Sequence, residues 1–227
     1  MIPVVYEDDY CLVVNKPSNR LVHHSHFARN IDEESVMEWV KREFALNAAP
    51  VHRLDRKTSG LLLIVKDKEN VALFQELFES DSIQKVYWAL VRGHVSHEAF
   101  LVDSPVKNER GNYRDARTWV RCLETFERPY KIPPYPSQRY SLIEMKPLTG
   151  RYHQLRLHAN KIAHPIINDP KHGNRHHNHY FEEKLGVSQL FLHARSLEFK
   201  HPITGVKVLL EADLPDFWGA FFDNNVK

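Results

Sequence analysis

The chain has 227 residues, enough for one large domain or two small ones, and its 42% hydrophobic and 26% charged residues exclude a disordered or fibrous polypeptide. Two cysteines, Cys11 and Cys122, are too few for a disulfide framework, no apolar run approaches the roughly 18 residues of a membrane span, and the N-terminus lacks the basic-then-apolar pattern of a secretion signal. A cytoplasmic protein with reduced thiols and no membrane association is expected. The net charge of +2 says little by itself, but the charges are segregated. Residues 16–29 carry Lys16, Arg20, His23, His24, His26 and Arg29 with no acid, and residues 171–180 carry Lys171, His172, Arg175, His176, His177 and His179 with none. Such clusters make either a basic face or an ordinary solvated surface.

In chain order, Val4 to Tyr6 and Cys11 to Lys16 read as short strands around the acidic turn Glu7-Asp8-Asp9, with Pro17 ending the second. Residues 18–32 form a polar loop. Val36, Val40 and Phe44 predict a helix over Glu33 to Leu46 with Asp32 as N-cap. The next stretch stands apart. His52-Arg53-Leu54-Asp55-Arg56-Lys57 is polar and basic around one carboxylate, Thr58-Ser59-Gly60 reads as a turn, and Leu61 to Val65 is the apolar run of a strand buried on both faces. An isolated Asp on a loop is usually a surface ion pair. One set among arginines and anchored by a core strand is placed for function.

Asp67 then caps a helix to about Ser80, and Lys85 to Val91 is a strand ended by Arg92-Gly93. Residues 99–123 suggest short strands around a turn at 108–112, and 127–139, with four prolines, reads as an irregular surface excursion. Tyr140 to Lys146 is a strand. A helix is expected from about Arg151 to Ala163, with Leu155, Ala159 and Ile162 inward and Tyr152, His153, Arg156 and Asn160 on a polar face suited to a cleft wall. Residues 165–185 read as a loop or short-helix region, Leu190 to Ala194 and Val206 to Glu211 as strands, and Leu214 to Phe222 as a closing helix. Strands outnumber helices without regular alternation, which predicts an α+β fold on a mixed, mostly antiparallel sheet with flanking helices. No nucleotide-binding glycine motif is present, and the clustered histidines lack a Cys pair or H-E-x-x-H, so no cofactor and no metal are expected.

Five segments, in order, resemble the RluA-type pseudouridine synthases: Asn15-Lys16-Pro17 with Leu21-Val22-His23; His52-Arg53-Leu54-Asp55 with Thr58-Ser59-Gly60-Leu61-Leu62; Lys85-x-Tyr87-x-Ala89-x-Val91-x-Gly93; Thr149-Gly150-Arg151-x-His153-Gln154-Leu155-Arg156-x-His158; and Leu192-His193-Ala194 with His201-Pro202. The loop His164 to Asn178 and the run Ser137 to Leu142 are similar to the tRNA-acting TruC branch. Asn19 and Asn168 stand where the family usually has glycine, and Asn tolerates left-handed backbone angles better than most residues.

The resemblance implies a single catalytic domain over residues 1–227, with a central RNA-binding cleft and no accessory S4-type RNA-binding domain. It implies isomerisation of uridine to pseudouridine in structured RNA, for this branch uridine 65 near the T arm of tRNA. A ribosomal-RNA synthase and a non-catalytic RNA-binding or chaperone protein are the alternatives. No cofactor or obligatory protein partner is implied, and a monomer is expected. Asp55 is implied as nucleophile. Arg156 is its charge partner, or else part of a plain buried ion pair. Tyr87 stacks on the flipped uracil or handles the proton at C5, or else is a core aromatic. Leu192 lines an apolar pocket or simply packs. Arg53 fills the gap left by the flipped base, or contacts a phosphate. Lys16, His23, Lys171, His172 and Arg175, from the basic loops, are expected to hold RNA phosphates.

Overall fold

The computed structural model describes residues 1–24, 32–80 and 82–223, so His26 and Arg29 of the first basic cluster lie outside the described residues. In chain order the elements are β1 (Val4–Glu7), β2 (Cys11–Lys16), α1 (Val36–Phe44), β3 (Ala49–Pro50), β4 (Ser59–Val65), α2 (Val71–Glu79), β5 (Gln84–Arg92) and β6 (Phe100–Asp103). They continue with β7 (Val106–Lys107), β8 (Tyr113–Arg114), β9 (Arg117–Arg128), β10 (Gln138–Pro147), α3 (Gln154–Lys161), α4 (Arg175–Leu185), β11 (Leu192–Lys200), β12 (Lys207–Glu211) and α5 (Gly219–Phe222). The fold is α+β on a mostly antiparallel sheet, as expected. The chain divides into two compact units, Met1–Lys85 with Ala194–Pro215, and Val86–His193 with Asp216–Lys227.

In the first unit the strand order is β1-β2-β4-β11, with β12 beside β11. Strands β2 and β4 run antiparallel from Cys11 opposite Val65 to Lys16 opposite Gly60. All seven residues of β4 are buried, the two-faced burial its apolar run requires. Leu61, Leu63 and Val65 join Cys11, Val13, Phe74, Leu77, Leu197, Phe199 and Val208 in one core. Gly60 sits at φ 110°, and a Cβ there would lie 2.3 Å from the Ala194 carbonyl oxygen. Only glycine fits where the site loop enters the core strand.

Helix α1 begins three residues later than the sequence suggests. Ser35, not Asp32, is its N-cap, because Glu38 sits at the third helical position and closes a reciprocal capping box. Asp67 caps a short 3-10 turn that precedes α2.

In the second unit the order is β5-β10-β9-β6, with the adjacent strands antiparallel. Two expectations need correcting. The proline-rich stretch is not wholly superficial: Tyr130 and Ile132 are buried, and the Tyr130 ring stacks on Tyr180 with centroids 4.9 Å apart. Residues 175–185 form an eleven-residue helix, α4, capped by the Asn174 side chain, which accepts from the His176 and His177 amides. Its apolar stripe is too thin to declare itself, since only His177 and Phe181 are buried. Both asparagines at glycine-like positions adopt positive φ, 65° at Asn19 and 59° at Asn168.

Candidate active site

Asp55 is half-buried on the loop between β3 and β4. Its carbonyl accepts from the Thr58 amide at 3.0 Å, closing a turn over Arg56 and Lys57, ahead of the turn expected at Thr58-Ser59-Gly60, where Ser59 and Gly60 already belong to β4. Three side chains tie this loop down. His52 Nε2 accepts from the Leu63 amide at 3.0 Å, and its ring stacks on Phe78. Burial, with the Lys85 charge, pushes the His52 imidazole down to about 3, so it stays neutral and can accept. Arg56 donates through Nε to the Asn19 carbonyl at 2.9 Å and through Nη2 to Glu33 at 3.1 Å. Ser18 Oγ donates to the Lys57 carbonyl at 2.7 Å.

Lys16 departs from expectation. Its side chain is wholly buried, and its ammonium donates to the carbonyls of Pro17 at 2.8 Å, Arg20 at 2.9 Å and Arg56 at 3.1 Å. An ammonium with all three protons so placed is no phosphate ligand at the surface. It stitches the loop after β2 to the Asp55 loop. Burial drags its pKa down to about 7 against the opposing pull of the Asp55 charge, which puts a cation within electrostatic reach of that carboxylate. Arg53 and His23 are exposed.

In the second unit, Tyr87 is half-buried on β5, opposite Met145 of β10, and Leu192 is buried at the start of β11. Arg156 is 5% exposed and held by a residue that spacing does not reveal. Its Nε and Nη2 donate to the two carboxylate oxygens of Asp169, each at 2.7 Å. The Asp169 carboxylate also accepts from the Lys171 amide at 2.9 Å and the His172 amide at 3.0 Å. Burial alone would raise the Asp169 pKa, but the Arg156 hydrogen bonds and charge and the two amides hold it below the usual carboxylate range. Asn178 Nδ2 donates to the Asp169 carbonyl, and the Asn168 amide donates to Asn178 Oδ1, so α4 braces this corner. Gly173 is forced by the same crowding: a Cβ there would meet the Asp169 carbonyl at 2.3 Å. Lys171 is exposed over the Tyr152 ring at 5.6 Å, His172 Nε2 lies 3.0 Å from His153 Nδ1, and Arg175 is exposed at the start of α4. Asp169 eluded sequence reasoning because one loop acid resembles another. The cue was the departure at Asn168 beside it.

The clustered histidines point to different partners. His177 is buried with Nδ1 at 3.1 Å from the Tyr140 hydroxyl, His172 faces His153, and His179 pairs with Glu183 one turn on. Elsewhere, ligand atoms of Asp8, Cys11 and His201 lie within 4.8 Å of one another. His201 Nδ1 accepts from the amides of Ile203 and Thr204, so its proton sits on Nε2, which faces Asp8 at 3.3 Å. Burial and the Asp8 charge push the Cys11 thiol up to about 12. The Asp8 carboxylate also accepts from the Tyr6 hydroxyl at 2.7 Å and from the Tyr10 and Cys11 amides at 2.8 and 2.7 Å, so it is bound into the turn between β1 and β2.

A family model described as RNA pseudouridylate synthase matches residues 9–161, a span that holds Asp55, Tyr87 and Arg156. The chain is 34% identical, over 98% of its length and 95% of the relative's, to the tRNA pseudouridine synthase C of Vibrio vulnificus. It is 38% identical, over 96% of its length and 87% of the relative's, to the protein of that name from Salmonella typhimurium. Among solved structures, human RNA pseudouridylate synthase domain containing 1 aligns with a TM-score of 0.76 over 97% of this chain and 87% of the other; at 24% identity, that likeness speaks for the fold.

Proposed function

The chain belongs to the RNA pseudouridylate synthase family, and from that premise we propose that it isomerises one uridine of tRNA, uridine 65 near the T arm, with Asp55 as nucleophile. The observation that carries the assignment is the mounting of Asp55: a half-buried carboxylate on a loop tied by His52, Arg56 and Ser18, with the Lys16 ammonium inside the same loop system. Its rigidity suits a group that must meet one reacting atom. The reaction breaks the bond between N1 and the ribose C1′, turns the uracil, joins C5 to C1′, and exchanges the C5 proton for one at N1. It needs a nucleophile and a held base, but no redox partner. Tyr87 stacks on or deprotonates the extruded base, Leu192 lines its pocket, and Arg53, exposed beside Asp55, occupies the gap in the stack. Arg156, held by Asp169, is the charge partner of the nucleophile in this reading.

Residues 1–227 act in this reading as one catalytic domain with a central RNA cleft, working as a monomer in the cytoplasm. Among the described residues no helix is long and apolar enough to cross a membrane. The choice of tRNA is supported by the relatives' names. Asp55→Asn abolishes tritium release from RNA labelled at C5 of uridine and leaves RNA binding within about threefold of the parent, a change below 1 kcal/mol. Undiminished release would remove Asp55 from the mechanism, and a parent protein that binds RNA without release would make this a non-catalytic binder.

A further inference from the structure

We infer that the β7–β8 hairpin and the adjoining outer face of β9 form a second RNA-docking surface, on which accessible bases stack on Tyr113 and Trp119 while neighbouring cations hold the phosphates. The inference rests on the reading that RNA is the substrate. It concerns how that RNA is gripped away from the nucleophile.

The sequence from 107 to 121 sets Lys107, Arg110, Arg114, Arg117 and Arg121 against two acids, Glu109 and Asp115, and interleaves Tyr113 and Trp119. The fold places this composition at the surface. Tyr113 is 63% exposed and Trp119 44%. On β9, Arg117, Trp119 and Arg121 alternate with buried Thr118, Val120 and Cys122, so the three share the outward face. Opposite Trp119 in register stand Leu101 of β6, itself 38% exposed, and Lys146 of β10. Arg121 and Lys146 share the single Glu144 carboxylate, at 3.2 and 3.3 Å, which leaves that pair with an excess positive charge. Lys107 stands over the Tyr113 ring, 5.2 Å from its centroid. Flat aromatic faces flanked by cations suit a polyanion that carries flat bases. A protein partner matching the apolar strip alone would meet this charge excess as a desolvation cost.

The surface is also stiff. Gln154 Nε2 donates to the Arg117 carbonyl at 2.9 Å and to Thr118 Oγ1 at 3.0 Å. Because the Ser104 carbonyl can only accept, His158 donates to it through Nε2, at 2.8 Å, and accepts the Thr118 hydroxyl through Nδ1, at 2.9 Å. Lys161 donates to Ser104 Oγ at 2.7 Å and to the Pro105 carbonyl, and Arg151 donates to the Asp115 carbonyl at 3.1 Å. The base of the hairpin is therefore bolted to α3, the helix that carries Arg156. RNA seated on Trp119 has a fixed bearing on Arg156, with little ordering cost at the protein side.

The test uses the full chain and a full-length unmodified tRNA transcript, with dissociation constants measured by filter binding between 50 and 200 mM salt. Tyr113→Ser and Trp119→Ser each raise Kd by about five- to tenfold, the loss of one base–aromatic stack. Arg117→Gln with Arg121→Gln raises Kd and lowers the slope of log Kd against log salt by about two, one lost phosphate contact each. Unchanged Kd and slope in both sets overturn the inference. So does sedimentation showing a parental dimer that Trp119→Ser dissociates, which makes the patch a self-association surface. The same transcripts, tritiated at C5 of uridine, separate this inference from the catalytic reading. Weakened binding in the variants of a protein that never releases tritium keeps the surface and removes the isomerase. Full turnover with unaltered binding does the reverse.

Discussion

At the scale of single residues, the site is a set of charges whose partners lie far away in sequence. Arg156 is a member of a buried ion pair with Asp169; its service to Asp55 is a proposal. His52 belongs to the motif that drew attention to Asp55, yet its ring nitrogen is used on the Leu63 amide. His52 and Asp169 both make the fold sensitive to acid, and in the same direction. The folded-state pKa of His52 is about 3, below the unfolded value near 6.5. The unfolded chain therefore binds more protons between those values, and stability is full above about pH 6.5 and declines as pH falls toward 3. The depressed carboxyl of Asp169 adds a further decline below about pH 4. Urea unfolding followed from about pH 7 to 4 shows this loss in the parent. His52→Gln, whose amide oxygen can still accept from Leu63, flattens the upper part of that limb. An unaltered slope in the variant would mean that His52 is protonated in the fold.

At the scale of elements, local chemistry accounts for most of what forms. The capping box of α1, the seven buried residues of β4 and the left-handed asparagines all follow from residue type. Strand β4 does more than fill the core. Its entry at Gly60 determines where the Asp55 loop leaves the sheet, and a methyl group there meets the Ala194 backbone at 2.3 to 2.8 Å while φ is 110°. Gly60→Ala costs about 3 kcal/mol or more in chemical denaturation and takes activity with it, since neither the Ala194 backbone nor the turn can yield cheaply. A loss under about 0.5 kcal/mol, the size of an ordinary surface substitution, would show that β4 and its loop relax freely. Helix α4 is the element whose sequence is least informative. It carries seven charged or histidine residues among its eleven and packs by His177 and Phe181. Its contribution to the site is indirect, through Asn178 and the Asp169 corner.

At the scale of the whole chain, a net charge of +2 conceals an uneven distribution, and with Lys16 and Arg156 turned inward, Lys171, Arg175 and the hairpin around Tyr113 are among the places where cations stay exposed. The identity of the RNA is a property at this scale. Pseudouridine mapping of total RNA from cells with and without the protein shows loss at one tRNA site; loss at a ribosomal site with every tRNA site intact would move the substrate to ribosomal RNA. The sequence by itself determined the α+β class, the core strand, the Asp55 loop and the family, because each is written in a local pattern: apolar period, turn residues, or a motif of fixed spacing. Only the tertiary structure decided that Lys16 faces three carbonyls, that Arg156 is held by Asp169, that His177 is buried while Trp119 is exposed, and that α3 carries the hairpin. Apart from the Lys16 contacts to Pro17 and Arg20, each of these is a pairing between groups 13 to 57 residues apart, or the choice of which side of an element meets water. Spacing along a chain does not encode such choices. Burial and hydrogen-bond satisfaction, worked out across the folded molecule, do.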